Sequence, residues 1–208
     1  MTSATEQTVR SATAAEVKQI AAVMARAFYH DPPFMWMLPN PKARPKQLRR
    51  FFAALARGEA LALGGVDVAL VGTEVAGAAI WRPPGHWETE RLRTVLALVR
   101  AFGRRMRALA ALARAIERVH PREQHWYLLA LGVDPAWQGT GVASALLRPR
   151  LNQCDQDGLP AYLESSKPAN VPLYQHFGFE PTGNPDLPDG APPLTGMWRP
   201  AAAAPPAV

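Results

Sequence analysis

The chain has 208 residues, 48% of them hydrophobic and 19% charged, enough to bury a sizeable core and unlike a disordered chain. The N-terminus lacks the basic-then-apolar order of a secretory leader, and no apolar run nears the ~20 residues of a membrane helix. The lone Cys154 excludes an internal disulfide and points to a reducing cytoplasm, and the lack of a long apolar run leaves no membrane partner expected.

The net charge is +6 and its positives concentrate in "PKARPKQLRR" and between Arg91 and Arg118, which read as solvated basic helix faces. This balance leaves nucleic acid open as a partner without requiring it. "QTVRSA" reads as a first strand. Thr13 and Glu16 have the spacing of a capping box, and Val17, Ile20, Ala21, Met24 and Phe28 recur at helical period, predicting a helix over 14–28. "HDPPFMWMLPN" breaks that helix at Pro32 and Pro33 and reads as a packed loop or a pocket wall. A second helix is predicted over 46–57. "VDVALVG" and "VAGAAIWRP", joined by "GTE", form a hairpin signal with Gly72 at the turn.

A long helical stretch follows "HWETER", with a break at Gly103 and a stop at Pro121. "QHWYLLALGV" is apolar nearly throughout, as a central strand covered on both faces would be. A helix then runs to about residue 156, with a kink or early end expected at Pro149. "PAYLES", "GFEPTG" and "PLTGMWRP" are strands, and "NVPLYQHF" is a short helix stopped by Gly178. The pattern predicts one α+β domain over 1–200. Residues 201–208 have little to bury and read as a disordered tail.

Between the apolar strand and the next helix stands "VDPAWQGTGVASALL". Strand, tight turn and helix start leave amides unpaired and aimed outward, and the helix dipole adds to their attraction for phosphate. Gly139 and Gly141 suit positive φ and put no side chain in the way. A βα turn without a ligand is the alternative. The run is neither a dinucleotide fingerprint, since the third glycine is absent, nor a Walker loop, since no Lys follows.

The stretch fits Gln/Arg-x-x-Gly-x-Gly/Ala over Gln138 to Ala143, with "YLESSKPANVPLYQHFGFE" about thirty residues downstream. Together these resemble the GCN5-related N-acetyltransferase (GNAT) family. The segments "TVRSATAAEV", "AFYHDPPF", "HWYLLALGVDPAWQGTGVASALLRP" and "LESSKPANVPLYQHFGF" resemble its puromycin N-acetyltransferase branch. The likeness is densest over 124–182 and patchy across the middle helices, where such enzymes shape the acceptor pocket.

The resemblance implies an α+β (α/β three-layer) fold with a mixed, mostly antiparallel central sheet of about six or seven strands flanked by helices, and acetyl-CoA as co-substrate. Its pyrophosphate would lie on Gln138, Gly139, Thr140, Gly141, Val142 and Ala143, and its pantetheine arm on backbone groups of Leu131, Gly132 and Val133, with Leu131 or Gly132 as an oxyanion donor. Asn170 is either a helix cap or a cofactor contact. Tyr174, one turn on, would face the sulfur and return its proton. Glu164 would draw the amine's proton, with Glu123, His125 and His30 as lesser candidates. His30, Trp36, Trp81 and Trp126 flank candidate pocket segments and would hold an aromatic acceptor, or else pack in the core. Cys154 reads as packing, and no metal site is expected. The expected activity is acetyl transfer to a primary amine of a small molecule, an antibiotic such as puromycin among them, by a monomer or homodimer. A macromolecular amine (a protein N-terminus or aminoacyl-tRNA) and a non-catalytic acyl-CoA-binding module are the alternatives.

Overall fold

A computed structural model describes residues 7–86, 98–99 and 102–201. Seven strands form one sheet in the order β1-β2-β3-β4-β5-β7-β6. They are β1 (Gln7–Ser11), β2 (Val66–Val71), β3 (Glu74–Arg82), β4 (Trp126–Val133), β5 (Ala161–Ser165), β6 (Glu180–Gly183) and β7 (Thr195–Arg199). Every pairing is antiparallel except β4 with β5. The helices are α1 (Val17–Ala27), α2 (Pro32–Met37), α3 (Arg44–Arg57), α4 (Glu59–Ala62), α5 (Met106–Val119), α6 (Val142–Gln156) and α7 (Val171–His176).

The sheet separates two cores. On one face Val66, Val68, Ala78, Ile80 and Ala130 pack against Ile20 and Met24 of α1 and Leu48 and Phe52 of α3. On the other, Ala79, Trp81, Leu128 and Leu163 pack against Val142, Leu146, Leu147 and Leu151 of α6, with Tyr174 and Phe179 alongside. The alternating β3 residues Ala78, Ala79, Ile80 and Trp81 are all fully buried, as a strand covered on both faces requires.

Local chemistry explains the helix boundaries. Ala14–Glu16 form a 3-10 turn leading into α1. The Glu16 carboxylate accepts from the Thr13 amide and hydroxyl, both at 2.8 Å, and from Arg10. Pro32–Met37, within "HDPPFMWMLPN", form a helix rather than a packed loop. Asp31 sits in extended backbone at its N-cap, and Pro32 and Pro33 occupy the first turn, where a missing N–H costs nothing. Pro149 does not end α6, which continues to Gln156. One basic residue is not a solvated face either: Arg44 is buried and donates to the carbonyls of Leu38, Tyr29 and Pro39, closing the α2–α3 connection.

Gly103 adopts φ +50° within a 3-10 turn that precedes α5, and the chain turns out of α5 at His120, just before Pro121. Most of the predicted helix upstream of Gly103, and the tail, lie outside the described residues.

Candidate active site

Two irregularities in the sheet create the site. The ladder between β4 and β5 spans only Trp126↔Ala161, Tyr127↔Tyr162 and Leu128↔Leu163. Beyond it β4 continues to Val133 without β5. At the same place the β3–β4 register slips, with Trp81 opposite Leu128 but Ile80 opposite Ala130, so Leu129 is an extra, bulged residue.

The bulge decides which backbone groups are available. The Asp134 amide donates to the Ala76 carbonyl at 2.8 Å, so 76↔134 is a hydrogen-bonded pair. Alternation along an antiparallel ladder makes 78↔132 another, while 77↔133 and 79↔131 face away. The amides of Leu131 and Val133 therefore point into the gap left by β5, and that of Gly132 is committed to β3. This narrows the three expected backbone partners to two.

Gly132 matters for its missing side chain instead. A Cβ there would lie 2.6 Å from Met24 Sδ and 3.1 Å from Phe28 Cε2, so glycine is what lets α1 close on β4.

Asp134 holds the end of the strand. Its carboxylate pairs with Arg26 of α1 and accepts from the Ala136 amide at 3.1 Å. The turn that follows has Gly139 at φ +79° and Gly141 at φ +87°, and a Cβ at either would meet nothing within 4 Å. Side-chain bonds brace the turn: Thr140 Oγ1 donates to the Trp137 carbonyl at 2.7 Å, Gln138 Nε2 to that of Val133 at 3.2 Å, and Gln7 Nε2 to that of Thr140 at 2.9 Å. The first backward bond of α6 runs from Ala145 to the Gly141 carbonyl, so the amides of the preceding first turn have no partner inside the helix. An open turn, a helix start and a free strand edge are the parts an acyl-CoA needs: anion donors for the diphosphate and an amide edge for the extended arm. The residues present fit that group.

A cavity of about 330 Å³ runs along the gap. It brings together Leu131, Gly132, Val133, Gln138, Ala143, Glu164, Asn170 and Tyr174 from the expected set. Gly139, Thr140, Gly141 and Val142 adjoin it in the turn without lining it. Asn170 makes no capping bond with its side chain and sits in a 3-10 turn over Pro168–Asn170, so of its two expected roles only the place in the cavity wall remains. Tyr174 is buried, and its hydroxyl is pushed up to about 12 by burial and then by the Asp31 charge. Glu164 Oε2 accepts from the Tyr127 hydroxyl at 2.7 Å.

The aromatic and imidazole candidates for the acceptor do not line this cavity. Trp81 is fully buried in the α6 core, and Trp126 lies in the same core beneath the Arg150 guanidinium, 4.3 Å from its ring centroid. Trp36 packs against the α1–α3 core, and His30 is exposed and edge-on to Tyr29. Alternation places Trp81 on the α6 side because Ile80 faces α1. Cys154 is fully buried, with its thiol pushed up to about 12 by burial, in keeping with packing.

Sequence reasoning missed Asp31, Ser166 and Lys167, which line the cavity. Asp31 is buried, accepts a hydrogen bond from Ser166 Oγ, and its carboxyl is raised by burial despite that bond and the nearby Lys167. A signal existed in the Asp before Pro-Pro that caps α2, but only the fold brings it beside the end of β5.

A profile of the acetyltransferase (GNAT) family matches residues 24–179. The chain belongs to that family. This GNAT N-acetyltransferase is 30% identical over 187 residues to an uncharacterised N-acetyltransferase of Schizosaccharomyces pombe, covering 80% of this chain and 71% of the relative. Its fold is similar to that of a Corynebacterium glutamicum protein described as histone acetyltransferase HPA2 and related acetyltransferase. That similarity has a TM-score of 0.75 and 31% identity over 97% of this chain and 99% of the other. A Drosophila melanogaster polyamine N-acetyltransferase that forms N-acetylagmatine shares the fold at TM-score 0.67 and 16% identity, over 94% and 100% of the two chains. Among the described residues no helix is long and apolar enough to cross a membrane, and no group of His, Cys, Asp and Glu could hold a metal ion.

Proposed function

We propose that this GNAT enzyme transfers the acetyl group of acetyl-CoA to a primary amine of a small, cationic molecule, and that residues 1–200 form the catalytic unit. The observation that carries the reading is the gap beside β4, where the outward amides of Leu131 and Val133 meet a cavity holding Tyr174 and two carboxylates, Asp31 and Glu164. Bound acetyl-CoA supplies an activated thioester. Leu131 and Val133 bind its extended arm, the turn from Gln138 to Ala143 takes the diphosphate, and Asn170 adds a side-chain contact. The Leu131 amide faces the place where negative charge develops on the thioester oxygen. Tyr174, protonated throughout the neutral range, delivers a proton to the departing sulfur. Asp31 and Glu164 attract an ammonium group, and Glu164 removes its proton.

Puromycin and related aminonucleosides remain the narrow expectation, on the sequence resemblance alone. A second reading, a protein amine, is supported by the similarity to the 31%-identical C. glutamicum protein described as a histone acetyltransferase. The test is calorimetric titration of the full chain with CoA, followed by a panel of agmatine, arylalkylamines, puromycin and an amino-terminal peptide with free-thiol readout. Saturable CoA binding and turnover on small amines are expected. Absence of CoA binding by folded protein overturns the reading, and turnover confined to the peptide replaces it with the second.

A further inference from the structure

The cavity beside β4 holds a basic side chain that acetyl transfer as described leaves unused. Lys167 follows β5 with its backbone extended, and its carbonyl accepts from Ser165 Oγ and from the Asn170 amide, both at 3.0 Å. The residue is half-buried and lines the cavity, and its side chain forms no hydrogen bond or ion pair with a described residue. Among the described residues that line the cavity it is the one cation, set against two carboxylates. Arg26 of α1 and Arg44 of α3 are committed to Asp134 and to backbone carbonyls, so neither supplies this charge.

The two carboxylates differ in what already holds them. Glu164 accepts from Tyr127 at 2.7 Å and faces His120 at 3.8 Å, whose Nε2 lies 3.0 Å from that of His125. Asp31 stands at the start of α2 and accepts from Ser166, the residue before Lys167. Burial raises the Asp31 carboxyl, and Ser166 and the Lys167 charge oppose that rise. Lys167 thus acts on Asp31 through space without closing an ion pair with it, and both stay open to a guest.

We propose that Lys167 is a specificity-determining residue that fits this cavity to an acceptor carrying a single positive charge, its own ammonium taking the place of a second cation. The inference rests on the amine-acetylation reading above. Two carboxylates and one ammonium leave one net negative charge, which a monocation cancels and a dication overshoots. The cavity holds about 330 Å³, so both ends of a short diamine fall within reach of Lys167. Like charges a few ångströms apart repel strongly where little water lies between them. Selectivity then comes from this repulsion as much as from the attraction of Asp31 and Glu164.

The test compares butylamine with 1,4-diaminobutane, equal in chain length and different by one ammonium group. Rates of the full chain at saturating acetyl-CoA, with free-thiol readout, give kcat/KM for wild type, Lys167→Met and Lys167→Arg. Wild type should favour butylamine at least tenfold. Lys167→Met should cut that preference at least tenfold, chiefly through a lower KM for the diamine. Lys167→Arg, which keeps the charge, should stay within threefold of wild type. A preference unmoved in folded Lys167→Met, or a wild type that prefers the diamine, overturns the proposal and leaves acetyl transfer intact. Lys167→Gln serves where the methionine variant does not fold.

Calorimetry is the second arm. CoA should bind wild type and Lys167→Met within threefold, and a tenfold loss overturns the proposal by making Lys167 a partner of the CoA phosphates. Folded wild type that binds no CoA refutes the earlier reading instead, and this inference with it. If wild type binds CoA but acetylates neither amine, the preference is read as the Kd of each amine for the CoA complex. A tenfold preference for butylamine is again expected, and equal affinity or no binding of either amine overturns the proposal.

Discussion

Replacing Gly132 with alanine tests the division of labour within β4. The new methyl would stand 2.6 Å from Met24 Sδ, 3.1 Å from Phe28 Cε2 and 3.2 Å from Ala27 Cβ. Ordinary van der Waals contact needs at least about 3.4 Å, so the sulfur must withdraw by roughly 0.8 Å and the other two by a few tenths, inside a close-packed core. Met24 is fully buried with no room to withdraw, whereas Phe28, in a ring cluster with Phe34 and Phe52 at 5.6 and 5.0 Å, also lines the cavity and can give way only toward it. Overpacking of this kind costs about 1–3 kcal/mol, from which a glycine-to-alanine gain of about 0.5–1 kcal/mol in the strand is subtracted. The net loss spans about 0–2.5 kcal/mol and centres on about 1.2 kcal/mol, or ~2–5 °C in Tm for a chain of this length. Thermal unfolding by circular dichroism measures it. Because the Gly132 amide is committed to β3, CoA affinity should change less than threefold. An unchanged or raised Tm refutes the packing argument, and a tenfold loss of CoA affinity at unchanged Tm refutes the assignment of backbone direction.

Tyr174→Phe removes the proposed donor and should lower turnover by ~10²–10⁴ with little change in CoA affinity; a loss under threefold dismisses the role. With that hydroxyl pushed up to about 12, wild-type turnover should show no fall between pH 7 and 10 from its ionisation, as a pH–rate profile would reveal. Asp31→Asn should raise KM for a cationic amine about tenfold and spare CoA binding in calorimetry, since Asp31 is the carboxylate beside Ser166 at the cavity wall. Glu16 is held at about 2 by its bonds to Arg10, so its folded pKa lies below the ordinary carboxyl value. Its stabilisation is complete above about pH 4.5 and lost as pH falls toward 2, and an acid titration of Glu16→Gln should be shallower in that window.

Much of the fold could be read from periodicity because each strand and long helix has neighbours of one kind. β3 and β4 are apolar on both faces and lie between two helical layers, and α1 repeats at three and four because only one side meets the sheet. Capping chemistry was readable where its partners lie within one turn, as Thr13 and Glu16 do. What failed was chemistry whose sign depends on a neighbour. Two prolines that forbid a continuing helix are favourable at the start of a new one, and the sequence does not say which applies until Asp31 is seen in extended backbone. Trp81 and Trp126 were misplaced for a similar reason: on a strand buried on both sides, aromatic character says nothing about which face is wet.

The donor half of the site is a local object and the acceptor half is not. Apart from Asn170 and Tyr174, every group assigned to CoA falls between Leu131 and Ala143, in one strand, one turn and one helix start, so spacing encodes most of it. The acceptor end is assembled from the start of α2, the end of β5 and the turn before α7, with Asp31 hydrogen-bonded to Ser166 across 135 positions. No spacing rule spans that separation, and two carboxylates with opposed surroundings now occupy it. Glu164 is held by Tyr127 and faces a histidine pair, while Asp31 is raised by burial beside Tyr174. On the proposed reading, an amine entering as a cation meets both carboxylates and offsets the burial that raises Asp31, which a neutral aromatic acceptor does not. On that reading the amine panel should favour cationic small amines over neutral aromatic ones, and equal turnover of both would refute it.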